Sequence, residues 1–276
     1  MNQIIPFEEW PVIALMTDFG LGDGDVGVMK GVIAGITPQA HLIDITHDVA
    51  PQNVPSAAWI LASAYPYFPA GTVFVCVIDP GVGSSRGAIA VNAGKWFFVG
   101  PDNGLFSYVL QDQPVHAAHL LTNRAYQLPH VSSTFHGRDI FAPAGAYLAQ
   151  GVPIGELGPS LDPAGLHRID IAPPARIGKE VEARVIHVDR FGNLITNVPL
   201  ALVPDLFDAT RVQAIFQAGK VVDSRRRFFA ECPDDGLPFI YGDSSGYAGI
   251  AVCNGSAART LGVGFGAPIT FVIANK

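Results

Sequence analysis

Three side chains of complementary chemistry stand in two short polar segments. Asp79 and Arg86 lie in residues 78–87 (IDPGVGSSRG), and His136 lies in residues 133–139 (STFHGRD). An anion, a fixed cation and a titratable imidazole set around one small nucleophile such as water could orient it, polarise it and take its proton. No hydrophobic scaffold needs that combination in order to fold. Read singly, each residue has a blander role. Arg86 follows Ser84-Ser85 and would suit a solvated surface, and a lone histidine is more often structural than catalytic. Arg138 and Asp139 read as an ion pair or a cap at a helix start.

Two aspartates share one context. Asp18 and Asp79 each follow an apolar strand and precede a glycine-rich turn, and the carboxyl ends of strands line the ligand crevice of open α/β sheets. The alternative is that each caps a turn, which Asp does often. The turn Gly20-Leu21-Gly22-Asp23-Gly24-Asp25 is not a phosphate loop, because no Lys-Ser/Thr pair follows the glycines. Asp23 and Asp25 would also repel a pyrophosphate. Asp18, Asp23 and Asp25 could form a Mg²⁺ or Ca²⁺ site, although the calcium-loop spacing is absent. Asp23 could otherwise recognise a cationic group.

The elements that position these residues fall into two patterns. Apolar strands at 12–17, 41–46 and 72–78 alternate with helical spacing at 26–36 and at 54–64, where Pro55 suits a first turn. Residues 88–92 and 96–100 read as a hairpin, and 103–110 and 140–150 as helices. Strands with helical crossovers predict a mostly parallel sheet covered on both faces. A proline- and glycine-rich stretch, 151–178, follows. Beyond it residues 180–188 alternate apolar and polar. Short β-rich runs at 211–216, 237–241, 248–253 and 268–273 then predict a small antiparallel barrel or sandwich. The fold class expected is α/β: an N-terminal domain over 1–168 and a smaller C-terminal β-barrel domain over 169–276.

Three polar turns punctuate the second half. Asp189-Arg190-Phe191-Gly192-Asn193 exposes an aromatic beside amide groups that would match an adenine edge. Asp243-Ser244-Ser245-Gly246-Tyr247 and Asn254-Gly255-Ser256-Ala257-Ala258 are the others. Each is equally readable as an ordinary barrel turn.

Composition narrows the partners. The chain has 276 residues, 49% hydrophobic and 15% charged, with a formal net charge of −7. Such a chain builds a substantial core. Apart from Arg225-Arg226-Arg227 there is no basic run, so nucleic acid is not an expected partner. Glu8 and Glu9 stand where a secretory leader would be basic, and no apolar run approaches ~20 residues, so neither export nor membrane insertion is expected. Cys76, Cys232 and Cys253 are odd in number and widely separated. They read as unpaired, buried and apolar, and they suit a reducing cytoplasm.

Taken together, MTDFGLGDGDVGVMKG, DPGVGSSRG, PDNGLF, STFHGRD, DRFGNLITN and the terminal NGSAA resemble the S-adenosylmethionine hydroxide adenosyltransferases, relatives of the fluorinase and chlorinase. The resemblance covers roughly residues 12–273. It implies hydrolysis of S-adenosylmethionine to adenosine and L-methionine without metal or other cofactor. It also implies a cytoplasmic homotrimer with substrate bound between the N-terminal domain of one subunit and the C-terminal domain of the next. Asp79, Arg86 and His136 match the triad of the water-using members. Asp18 matches the aspartate on the ribose hydroxyls. Asp23, Asp189 and Ser244 match positions around the methionine amino and carboxylate groups, and Phe191, Asn193 and Phe229 match the adenine pocket.

The departures from the halogenases are local. Asp79 stands in place of an aromatic, His136-Gly137 in place of Tyr-Ser, and Gln52 in place of a tryptophan. An extra loop between Asn92 and Trp96 is missing, and Ser245 replaces an arginine. A halogenase using the same substrate and a non-catalytic nucleoside- or S-adenosylmethionine-binding module are the alternative readings. An unpaired carboxylate in a halide site would repel the halide, which makes Asp79 an argument against the first.

Overall fold

Residues 10–170, 172–217, 219–232 and 235–274 are described in the computed structural model, and the chain divides into two compact units, 1–169 and 170–276. Glu8 and Glu9 lie outside the described residues. Among the described residues no helix is long and apolar enough to cross a membrane.

The first unit is built on strands β1 (Val12–Thr17), β2 (His41–Thr46), β3 (Val73–Val77), β4 (Ala88–Ala93), β5 (Trp96–Pro101) and β6 (Val115–Leu120). Helices α1 (Asp25–Ile36), α2 (Val54–Ala64), α3 (Ser107–Asp112) and α4 (Ala142–Ala149) accompany them. The strand order is β2-β1-β3-β5-β4-β6. β2, β1, β3 and β5 pair in parallel, whereas β4 pairs antiparallel with both β5 and β6. Apart from Thr17 at the end of β1, the strands β1 and β3 are apolar because both of their faces are covered. Ile13, Leu15, Val73 and Val75 pack with Met29 and Ile33 of α1 and Ala144 and Leu148 of α4. Ala14, Met16, Phe74 and Cys76 pack on the other face with Ala57 and Leu61 of α2 and Val109 of α3.

Local signals set several ends. Asn53 caps α2 by accepting from the Ser56 amide, and Pro55 occupies its first turn. The expected helix over 103–110 begins only at Ser107, because residues 102–106 form a turn held by the Asn103 side chain. The helix expected from 140 opens as a π-type turn over Gly137–Phe141.

The second unit comprises β7 (Ala175–Ile177), β8 (Glu180–Val188), β9 (Leu194–Pro199), β10 (Arg211–Phe216), β11 (Val221–Val222), β12 (Pro238–Gly242), β13 (Tyr247–Val252), the short helix α5 (Ala257–Leu261) and β14 (Pro268–Ala274). The order β11-β10-β14-β8-β9-β13-β12 is antiparallel at every step. The chain just after β11 then pairs with β12: Ile240 N–H donates to Ser224 O at 2.8 Å and Arg226 N–H to Ile240 O at 2.9 Å. The two ends of the path thereby meet at a single bridge, and the sheet is nearly barrel-shaped around Val181, Val185, Phe216, Ile240, Ile250 and Phe271.

The cysteines correct an expectation. Only Cys76 is free, and it is buried, while Cys232 and Cys253 are joined as a disulfide. Their separation in sequence is misleading. The β12–β13 hairpin pairs Pro238 with Val252, which carries Cys253 back beside the loop that precedes β12.

Candidate active site

β1 and β3 are neighbours in register, with Thr17 opposite Val77. Asp18 and Asp79 therefore leave the sheet from adjacent strand ends, which is why two sites 61 positions apart in sequence can serve one crevice. Asp18 Oδ2 accepts the Gln52 amide at 2.7 Å. Gln52 has φ 62°, a backbone conformation that costs a non-glycine residue of order 1–3 kcal/mol. Beneath this loop Thr17 Oγ1 lies 2.9 Å from Nδ1 of the buried His47, and His47 O accepts the Gly20 amide at 2.8 Å.

Arg86 is the centre of the expected triad. Its Nε donates to Asp79 Oδ1 at 3.0 Å, its Nη2 donates to Asp79 Oδ2, and Nη2 also lies 2.8 Å from His136 Nδ1. The pair is no solvated surface contact: the side chains of Arg86 and Asp79 are 10% and 5% exposed. The guanidinium also stands 5.3 Å from the centre of the Phe141 ring. A guanidinium has only hydrogens to offer, so His136 Nδ1 accepts, and the imidazole is neutral with its proton on Nε2. Burial and then the Arg86 charge hold the His136 pKa below its ordinary value of 6.5, against the opposing pull of Asp79 and Asp139.

Packing fixes where His136 sits. Asp139 is fully buried and accepts from the Ser132 amide at 2.7 Å and from Arg138 Nε at 2.6 Å. This closes the segment that contains His136, so Arg138 and Asp139 are structural, as their sequence context suggests. Phe19, next to Asp18, meets Phe135, next to His136, edge-on at 5.8 Å. Asp23 and Asp25 are exposed in the turn before and at the start of α1. Among the described residues no group of three or more His, Cys, Asp or Glu could hold a metal ion, so Asp18, Asp23 and Asp25 do not converge on one.

The second unit holds the other expected residues. Asp189 Oδ1 accepts from the amides of Phe191 at 2.9 Å and Asn193 at 2.8 Å, and Oδ2 accepts from Asn193 Nδ2 at 2.8 Å. That self-bonded turn buries Asn193 and leaves Phe191 76% exposed. Gly192 is required, since a Cβ there would collide with Ser256, the cap of α5. Phe229 contacts Phe239 and Tyr241 edge-on at 5.6 and 5.3 Å. Burial, then Asp189 and Asp243, push the Tyr241 hydroxyl pKa up. Asp243 Oδ1 accepts from the Ser245 and Tyr247 amides, leaving Ser244 exposed at the tip. Asp189, Phe229 and the Ser244 turn thus gather around Tyr241, a residue that no sequence motif singles out.

A buried carboxylate–guanidinium–imidazole chain at the strand ends of an α/β unit, followed by a barrel-like antiparallel sheet with exposed aromatic and carboxylate turns, defines a two-unit protein equipped to handle a polar nucleophile. Residues 13–158 match the SAM hydroxide adenosyltransferase N-terminal domain, and residues 183–270 match the C-terminal domain of the same description. The chain belongs to the SAM hydroxide adenosyltransferase family. It is 41% identical over 254 residues to the (R)-S-adenosyl-L-methionine hydrolase of Salinispora tropica, covering 92% of this chain and 94% of that one. It is 39% identical to the (R)-S-adenosyl-L-methionine hydrolase of Thermus thermophilus, covering 93% and 98%. A fluorinase of Actinoplanes sp. is 27% identical, covering 87% and 90%. A crystal structure of a Thermotoga maritima protein matches with TM-score 0.86 and 37% identity over 94% of this chain and 99% of that one.

Proposed function

We propose that the protein hydrolyses S-adenosyl-L-methionine to adenosine and L-methionine, with no metal or other cofactor. The observation that carries this reading is Arg86, bonded on one side to Asp79 and on the other to His136 Nδ1. The substrate is a sulfonium. As the water oxygen bonds to the ribose 5′ carbon, the C5′–S bond breaks, its electron pair stays on sulfur, and a neutral thioether leaves. No acid is needed for that departure. The barrier lies in holding and activating the water, and positioning contributes ~7–11 kcal/mol in favourable cases.

In the resting arrangement Arg86 occupies the one free lone pair of His136. Water must take over that hydrogen bond, leaving Nη2 to donate to the water oxygen. His136 Nδ1 then takes the water's proton while Arg86 stabilises the developing hydroxide, and Asp79 offsets the paired positive charges. Asp18, presented by the Gln52 amide, holds the ribose hydroxyls. Asp23, Asp189 and Ser244 serve the methionine amino and carboxylate groups. Phe191, Asn193 and Phe229 serve the adenine.

A homotrimer with sites shared between neighbouring subunits, and a cytoplasmic location, complete the proposal. The location rests on the substrate being an intracellular metabolite, since the paired cysteines give it no support. Incubation with S-adenosylmethionine in ¹⁸O-water tests the reaction: adenosine carrying ¹⁸O at the 5′ oxygen is expected. Unlabelled products, or 5′-chloroadenosine in chloride buffer, would refute it.

A further inference from the structure

The segment Pro101-Asp102-Asn103-Gly104 continues directly from β5 and has no role in the scheme above. In the sheet β5 lies between β3 and β4, the two strands whose ends carry the Asp79–Arg86 loop. The ladder between β3 and β5 stops at Val75 opposite Val99, so the last residues before Asp79 have lost that neighbour. The Asn103 side chain takes its place: Nδ2 donates to Ile78 O at 2.9 Å. One residue earlier, the Asp102 amide donates to Gly87 O at 2.9 Å. Ile78 and Gly87 are the residues immediately before Asp79 and immediately after Arg86. Two consecutive residues thus grip both stems of the loop.

Asn103 is itself held. Its Oδ1 accepts the Leu105 amide at 3.2 Å, and the Asp102 carboxylate accepts the His167 amide at 2.9 Å. Such a grip matters because the Asp79–Arg86 pairing depends on the distance between the two stems, and the contact of Arg86 with His136 depends in turn on that pairing. A misplacement of about 1 Å far from the reacting atoms can cost ~10²-fold in rate.

We propose that Asn103 is a positioning residue for the Asp79–Arg86–His136 set, acting through the carbonyl of Ile78; this rests on the hydrolase reading above. The test is Asn103→Asp beside Asn103→Ala. The aspartate is the same size and still accepts from Leu105, but it has no hydrogen for Ile78 O. Both variants are expected to lower kcat by about 10- to 100-fold while KM stays within about twofold. In both, the His136 imidazole proton resonance should titrate closer to 6.5 than in the parent protein, because Arg86 has withdrawn. Wild-type kcat in Asn103→Asp would overturn the proposal, as would a fall in kcat with an unmoved His136 titration. If Asn103→Asp does not fold, Asn103→Ser is used, whose hydroxyl can cap Leu105 but falls short of Ile78. Failure of both to fold would also overturn it, making Asn103 purely structural. Should the parent protein fail to hydrolyse S-adenosylmethionine, the catalytic reading falls, and the His136 titration still decides the grip.

Discussion

Gly83 adopts φ 77° and lies directly against the carbonyl oxygen of Ser133. The contact brings the loop that carries Asp79 and Arg86 onto the turn that carries His136. A Cβ at position 83 would collide with that carbonyl and would also strain the left-handed backbone. Gly83→Ala is therefore expected to destabilise the protein by about 1–3 kcal/mol and to lower turnover by separating Arg86 from His136. Denaturant unfolding with steady-state kinetics measures both, and a variant that is stable and fully active would show that the contact is dispensable.

The charges around His136 make opposite predictions for two substitutions. The proposed mechanism uses the neutral imidazole, and burial and Arg86 depress its pKa. The acidic limb of the pH–rate profile should accordingly lie below 6.5. Arg86→Gln removes a depressing charge and should move the limb up. Asp79→Asn removes the Asp79 charge that raises the pKa and should move it down. The same depression links to stability. Below the unfolded value the unfolded chain binds the extra proton, so this contribution is present above about pH 6.5 and is lost as pH falls. Residual rates across pH, with His136 titrated by NMR, check the signs.

Roles should separate in kinetics. Asp79→Ala, Arg86→Ala and His136→Ala are expected to lower kcat by ~10²-fold or more with affinity little changed, and non-additively, since the proposed mechanism has all three serve one water. Asp18→Ala should instead weaken binding. Calorimetry beside turnover decides. Near-normal turnover in His136→Ala with unchanged affinity in Asp18→Ala would reverse the assignment.

Turnover is expected to survive EDTA, because the scheme assigns the polarising role to Arg86. Activity lost on chelation and restored by Mg²⁺ or Ca²⁺ would return Asp18, Asp23 and Asp25 to consideration as ligands.

The disulfide joins residues 21 apart and fastens the chain three residues beyond Phe229 to the end of β13. Loops of this size contribute about 3 kcal/mol through the unfolded chain. Reduction, or Cys232→Ser, should lower the melting temperature by several degrees and weaken substrate affinity more than kcat. Thermal unfolding with and without reductant measures the first effect and calorimetry the second. An unchanged melting temperature would show that the bond adds nothing.

Much of the fold is legible in the sequence. β1, β2, α2, β8 and β10 fall where periodicity places them, because each is strongly patterned and bounded by a turn or a cap. Periodicity misses β6 because Val115–Leu120 contains two histidines and little alternation. It misses β9 because that strand buries Thr196 and Asn197, whose side chains bond to Ala248 O and Ala172 O. The residue types of the Asp79, Arg86 and His136 set are enough by themselves to point to chemistry. The contacts that position the site are not legible in the same way: the Gln52 amide on Asp18, the Ser133 carbonyl against Gly83 and the Ile78 carbonyl on Asn103 are backbone groups, and a sequence carries no sign of where those point.

The bridge at Ile240 has a consequence for self-association. With Ser224 and Arg226 bonded to β12, the two ends of the strand path meet, and the edge left among the described residues of the second unit is β7, three residues long and paired with β8 alone. The sheet of the first unit is different. At its β6 end, residues 158–161 cover the strand through Leu120 N–H to Pro159 O and Leu161 N–H to Ala118 O. β2 ends the sheet on the other side with Ile43 41% exposed. There the Lys30–Asp44 ion pair, 2.6 Å apart, is the charge that discourages strand addition. Any cross-β aggregation of this protein should therefore begin at β2, whose six residues offer a longer edge than the three of β7.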